Sequence, residues 1–114
     1  MLPRVQEESA DDVRRHRRHS LKCPARLVLR GIEPRSVTLD VVDISLHGFM
    51  ARTQEALDAH ARGLLQVQLG NGCWSQVDAQ VVRCNQTPYG QFFGFRIDLP
   101  DAAWARCIAD LELS

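Results

Sequence analysis

The sequence predicts a mainly β fold: a small six-stranded antiparallel β-barrel with a C-terminal α-helix. Two observations carry this. Apolar residues alternate with polar ones in short segments separated by turn signals, and only the last dozen residues change to a helical period. With 114 residues, 45% of them apolar and 25% charged, the chain has room for one modest core.

Residues 1–12 read as a flexible acidic leader, with Glu7, Glu8, Asp11 and Asp12 and hardly any apolar periodicity, and residues 13–114 as a single domain. From Ser20 to Arg30, Leu21, Cys23, Ala25, Leu27 and Leu29 alternate with polar positions, the signature of a half-buried strand. Pro24 places part of that strand at an edge or a bulge, because proline cannot donate to a ladder. Gly31 to Pro34 is a turn, after which Val37, Leu39 and Val41 alternate into Asp43. A short third strand covers Gly48 to Arg52. Thr53 to Ala61 reads as a brief helix or helical loop capped by Thr53.

Strands at about 64–69 and 74–84 flank Gly70-Asn71-Gly72, a strong hairpin signal. Asn85 to Gly90 is polar and reads as a loop, and Gln91 to Asp98 as the sixth strand. Asp101 then follows Pro100 as an N-cap, and Trp104, Ile108 and Leu111 share one helical face that plugs a barrel mouth or covers one side. Trp74, Phe92, Phe93 and Phe95 read as core or barrel-mouth residues.

No apolar run approaches the 18 or more residues of a membrane span, and the start lacks the layout of a signal peptide, so a cytoplasmic protein without a membrane role is expected. Cys23, Cys73, Cys84 and Cys107 have no zinc-ligand spacing and read as reduced thiols, with Cys23, Cys84 and Cys107 among apolar neighbours. His16, His19 and His60 form no metal-binding or catalytic set, and there is no nucleophile elbow, phosphate loop or carboxylate pair. The chain is therefore read as a non-enzyme with neither metal nor cofactor.

Net charge is zero but unevenly spread. Residues 13–35 carry eight basic groups and one acidic, whereas residues 36–114 carry five basic and nine acidic. A positive focus of this kind draws an anion to one place and argues against a nucleic-acid duplex as partner. Within the focus stands Arg14-x-x-x-Arg18, and after 24 residues comes Asp43-x-Ser45-x-x-Gly48. Guanidinium forks pair with phosphate oxygens and with the Hoogsteen edge of guanine, and a carboxylate suits the donor-rich edge of the same base. Gly48 is read as the positive-φ residue of a strand-end turn, and His47 as solvent-facing.

Together these residues resemble the signature of the PilZ domain, a bacterial receptor family for the second messenger cyclic di-GMP. Pro24 inside the first strand, Val81-Val82-Arg83 and Gly94-Phe95-Arg96-Ile97 extend the resemblance to about residues 14–112. It implies that Arg14, Arg18, Asp43 and Ser45 contact the ligand while Gly48 shapes the turn. Arg15, Arg17, His47 and Arg83 are secondary candidates, and Arg96 is a solvated strand residue near the same mouth. The expected function is coupling of messenger level to a protein effector by ordering the arginine-rich segment. Two alternatives are weighed beside it: a PilZ-like adaptor in motility or pilus machinery that binds no nucleotide, and an RNA-binding small barrel.

Overall fold

The computed structural model describes residues 17–70 and 72–113. The acidic leader, Arg14, Arg15 and His16 lie outside the described residues. Six strands, β1 (His19–Leu29), β2 (Arg35–Ser45), β3 (Gly48–Thr53), β4 (Arg62–Gln68), β5 (Trp74–Thr87) and β6 (Gly90–Arg96), precede one helix, α1 (Ala102–Leu113). Every pairing is antiparallel, and the order β1-β2-β3-β6-β5-β4 closes on itself through the β1–β4 ladder. Closure gives the sheet an inside and an outside, and period-two alternation fills the inside. Leu27, Val37, Leu39, Val41, Phe49, Leu65, Val77 and Phe93 are among the side chains that fill it.

The helix caps one end of this core. Trp104 is fully buried, its ring tilted against Phe49 at a centroid distance of 5.8 Å, and Phe49 stacks on Phe95 at 4.5 Å. Cys107 and Ile108 bury on the same helical face. Asp101 is the N-cap, its Oδ1 accepting the Trp104 amide at 2.8 Å. The same carboxylate accepts the Ser75 hydroxyl at 2.8 Å and the Gln76 amide at 3.0 Å, which welds the helix start to β5. Among the described residues no helix is long and apolar enough to cross a membrane.

Three local expectations are corrected. Thr53 to Ala61 forms no helix. Thr53 Oγ1 donates to Thr38 O at 2.9 Å and accepts the Glu55 amide at 3.1 Å, while Glu55 returns to accept the Thr38 amide, so the segment is clasped to β2 instead of coiling. Asn85 to Gly90 is not a loop: β5 runs on to Thr87 and turns through Pro88-Tyr89 into Gly90, where φ is +127°. Its polar residues are those of a hairpin extending beyond the core, where side chains meet solvent, and polarity alone does not separate that from a loop. Cys84 lies in this extension and is exposed, whereas Cys107 is buried. Pro24 sits where β1 has only β2 beside it, since the β1–β4 pairing begins at Ala25, so a closed barrel keeps a short local edge there.

Burial by itself would raise the Asp101 carboxyl, but the amides of Gln76 and Trp104 and the Ser75 hydroxyl outweigh it and hold the group below its ordinary value. A depressed folded-state value stabilises above the ordinary carboxyl range, around pH 4, and that contribution is lost as pH falls through the folded value. Asp101→Ala is expected to destabilise the domain at neutral pH by about 1–2 kcal/mol in urea unfolding. Asp101→Asn is expected to flatten the acid limb of stability against pH, and a limb identical to that of the native chain would contradict this role.

Candidate functional site

The outer surface around Asp43 is built by insertions in three strands at one level of the barrel. In β2 the inward positions are Val37, Leu39 and Val41, so strict alternation would turn residue 43 into the core. An unpaired carboxylate there would cost several kcal/mol, on the order of the penalty for burying a charge. Instead the β2–β3 register steps from Val41↔Ala51 to Asp43↔Met50, leaving Val42 as the extra residue. Asp43 turns outward and Ile44 takes the core position. In β5 the step from Val81↔Phe95 to Arg83↔Gly94 leaves Val82 extra and turns Arg83 outward in the same way. The β1–β2 register also slips, between Ser20↔Asp43 and Cys23↔Val41.

One outward row therefore crosses five strands: Ser20, Asp43, Met50, Gly94, Arg83. Gly94 offers no side chain, and the Arg83 guanidinium occupies the space above it. A Cβ at Gly94 would lie 3.4 Å from Arg83 Nε and 3.6 Å from Nη2. At the other end of the row Arg18 Nη1 donates to Asp43 Oδ1 at 2.8 Å. The two sequence motifs thus meet. The Arg18 side chain is 47% exposed and that of Asp43 26%, so the pair contributes at most about 1 kcal/mol and opens readily. Arg17 is exposed beside it. The next residue, His19, lies with Nε2 3.9 Å from Glu112 Oε2, beyond hydrogen-bond distance, which puts the start of β1 beside α1.

The Ser45–Gly48 turn is held from below. Ser45 O accepts Trp104 Nε1–H at 2.9 Å, and His47 O accepts the Ile97 amide at 3.0 Å. Ser45 is 7% exposed, and its hydroxyl points to Gly48 O at 3.4 Å. His47 is not solvent-facing: it is half-buried, with Nδ1 3.1 Å from Ile97 O, a contact that places a proton on Nδ1. Gly48 does not use positive φ, which among described residues occurs at His60, Gly72 and Gly90. Its glycine is required by close approach, because a Cβ there would sit 2.6 Å from Phe95 O on β6.

Arg96 pairs across from Gly48 but is engaged elsewhere, donating to Gln80 Oε1 at 3.0 Å and lying 3.2 Å from Asp98. Among the described residues no three His, Cys, Asp or Glu side chains gather as metal ligands do. The sequence reading missed Met50 and Gly94. The available signal was the Val-Val doublet before a charge, Val41-Val42-Asp43 and Val81-Val82-Arg83, which interrupts the alternation on both strands.

A family model described as the PilZ domain matches residues 12–111. A search of curated proteins returned no match. Among solved structures, the PilZ domain of YcgR from Escherichia coli with c-di-GMP superposes with a TM-score of 0.64 at 18% identity, over 87% of this chain and 91% of that one. YcgR in complex with c-di-GMP gives 0.66 at 20% identity, over 87% and 46%. The Bacillus subtilis inhibitor of motility MotI/DgrA gives 0.68 at 11%, over 86% and 49%. The chain thus spans about half the length of the last two.

Gly48→Ala is expected to destabilise the domain by about 1–3 kcal/mol, the range for forcing an extra carbon into a packed site. Gly31→Ala serves as control, since nothing lies within 4 Å of a Cβ there. Equal melting temperatures for the two variants would refute the close-approach account.

Proposed function

This chain belongs to the PilZ domain family, and from that premise we propose that it is a cyclic di-GMP receptor whose output is altered partner binding, not catalysis. The observation that carries the reading is the meeting of Arg18 and Asp43 at 2.8 Å on one outward row of the barrel. A guanine presents N1–H and N2–H along one edge, and Asp43 is an acceptor already turned to the surface beside a fixed turn. The phosphates and the Hoogsteen edge are acceptors that suit the forks of Arg18 and Arg14.

Binding follows as an exchange of partners. The base edge takes the Asp43 carboxylate, and Arg18 moves from that carboxylate to the ligand, which loses little because the exposed pair is weak. Met50 and Gly94 follow Asp43 along the row, and the Arg83 guanidinium lies over Gly94 from the far side. Ser45 acts mainly through the turn, its hydroxyl being buried, with Gly48 keeping β3 against β6. Arg15 and Arg17 add positive potential. YcgR, whose PilZ domain was solved with c-di-GMP, has this fold, which supports the ligand class.

For output, drawing residues 14–18 onto the barrel creates a new surface for a protein effector, and the next residue, His19, lies beside Glu112 of α1. Calorimetric titration is expected to show saturable binding of cyclic di-GMP, with GTP and GMP much weaker. Arg14→Ala, Arg18→Ala or Asp43→Ala is expected to weaken it by roughly 10- to 150-fold, the equivalent of about 1.5–3 kcal/mol for a charge-assisted hydrogen bond. Amide exchange should slow at residues 14–20 and 43–48 on saturation. A native chain that ignores the ligand would leave the nucleotide-free adaptor as the better reading, and salt-sensitive RNA binding without competition by cyclic di-GMP would favour the RNA-binding barrel.

A further inference from the structure

Beside the Asp43 row lies a second outward row, Pro24, Asp40, Arg52, Phe92, on the same strands. It floors a groove of about 580 Å³, which Lys22 and Val42 also line. The insertion at Val42 relates the two rows. Residues 40 and 43 are an odd number apart and would face opposite sides of a regular strand, but the extra residue turns both carboxylates outward. They are three residues apart, about 10 Å along the strand.

The two carboxylates have matching company. Arg52 Nη2 stands 3.6 Å from Asp40 Oδ2, an exposed and weak pair like that of Arg18 with Asp43. Lys22 adds a second cation at the groove, and Phe92, half-buried in its lining, adds an aromatic ring. A cation to hold phosphate, a carboxylate for the N1–H and N2–H edge and a ring for stacking are the parts a guanosine phosphate needs. Cyclic di-GMP carries two guanines and two phosphates, so a surface that receives only one base leaves half of the ligand in water.

Building on the receptor reading above, we propose that this groove receives the second guanine of the same cyclic di-GMP molecule. Asp40 accepts from its base edge, Phe92 stacks on it, and Arg52 and Lys22 face the phosphates. The Arg18–Asp43 and Arg52–Asp40 pairs then open together, one for each half of the ligand.

Titration of the full chain with cyclic di-GMP tests this. Phe92→Leu, which keeps an apolar side chain, is expected to weaken binding about 5- to 150-fold, the range for removing one base–aromatic stack. That loss should persist at high salt because stacking carries no net charge. Asp40→Asn and Arg52→Gln, both at exposed positions, are expected to weaken binding at least about tenfold with unchanged melting temperature. The 3′,3′-cyclic dinucleotide with one guanine and one adenine should bind the native chain at least about tenfold more weakly, since one carboxylate then meets no N1–H. Native affinity in all three variants, with Arg18→Ala still defective, overturns the groove assignment and leaves the receptor reading standing. A native chain that binds no cyclic di-GMP overturns both.

Discussion

A carboxylate on a closed β-barrel has to face water, and one inserted residue, Val42, is what makes Asp43 do so. Without it the alternation that buries Val37, Leu39 and Val41 would carry Asp43 into the core, and the apolar Ile44 would face out. Burying an isoleucine is worth about 1.5–3 kcal/mol, more than an exposed ion pair such as Arg18–Asp43. Burial of Ile44, and of Phe49 against Phe95, fixes the phase of β2 and β3, and the position of the Asp43 carboxylate follows from that phase. The equivalent insertion at Val82 sets Arg83, so both ends of the candidate surface are placed by packing beneath it.

The same logic fixes the turn. Trp104 joins the helix to the hairpin through a fully buried ring and one hydrogen bond to Ser45 O. Ile97 holds His47 from the other side with its amide and its carbonyl. A turn fastened from the core holds the neighbouring Asp43 carboxylate in one place. Arg18, by contrast, is tied by an exposed ion pair that a stronger acceptor can replace. On the proposed reading, an acceptor anchored to the core and an exchangeable Arg18 contact suit a reversible receptor.

Periodicity in the sequence determined the strand number, the pairing of β4 with β5 as consecutive strands and the terminal helix with its Asp101 cap, because these follow from short-range alternation and capping chemistry. The spacing of Arg14, Arg18, Asp43, Ser45 and Gly48 named the candidate ligand and the residues to suspect. It did not say that Arg18 meets Asp43, that Ser45 is buried, or that Gly48 is needed for approach of β6 rather than for its φ. Those facts depend on which strands are neighbours, and the β3–β6 and β1–β4 ladders join segments more than thirty residues apart. The helix expected after Thr53 failed for a related reason, as a hydroxyl that could cap a helix is used by Thr38 on another strand. Local pattern sets what each segment can be; only closure of the barrel decided which side chains share a face, because inserted residues shift the phase of a strand and become visible when its partner is in place.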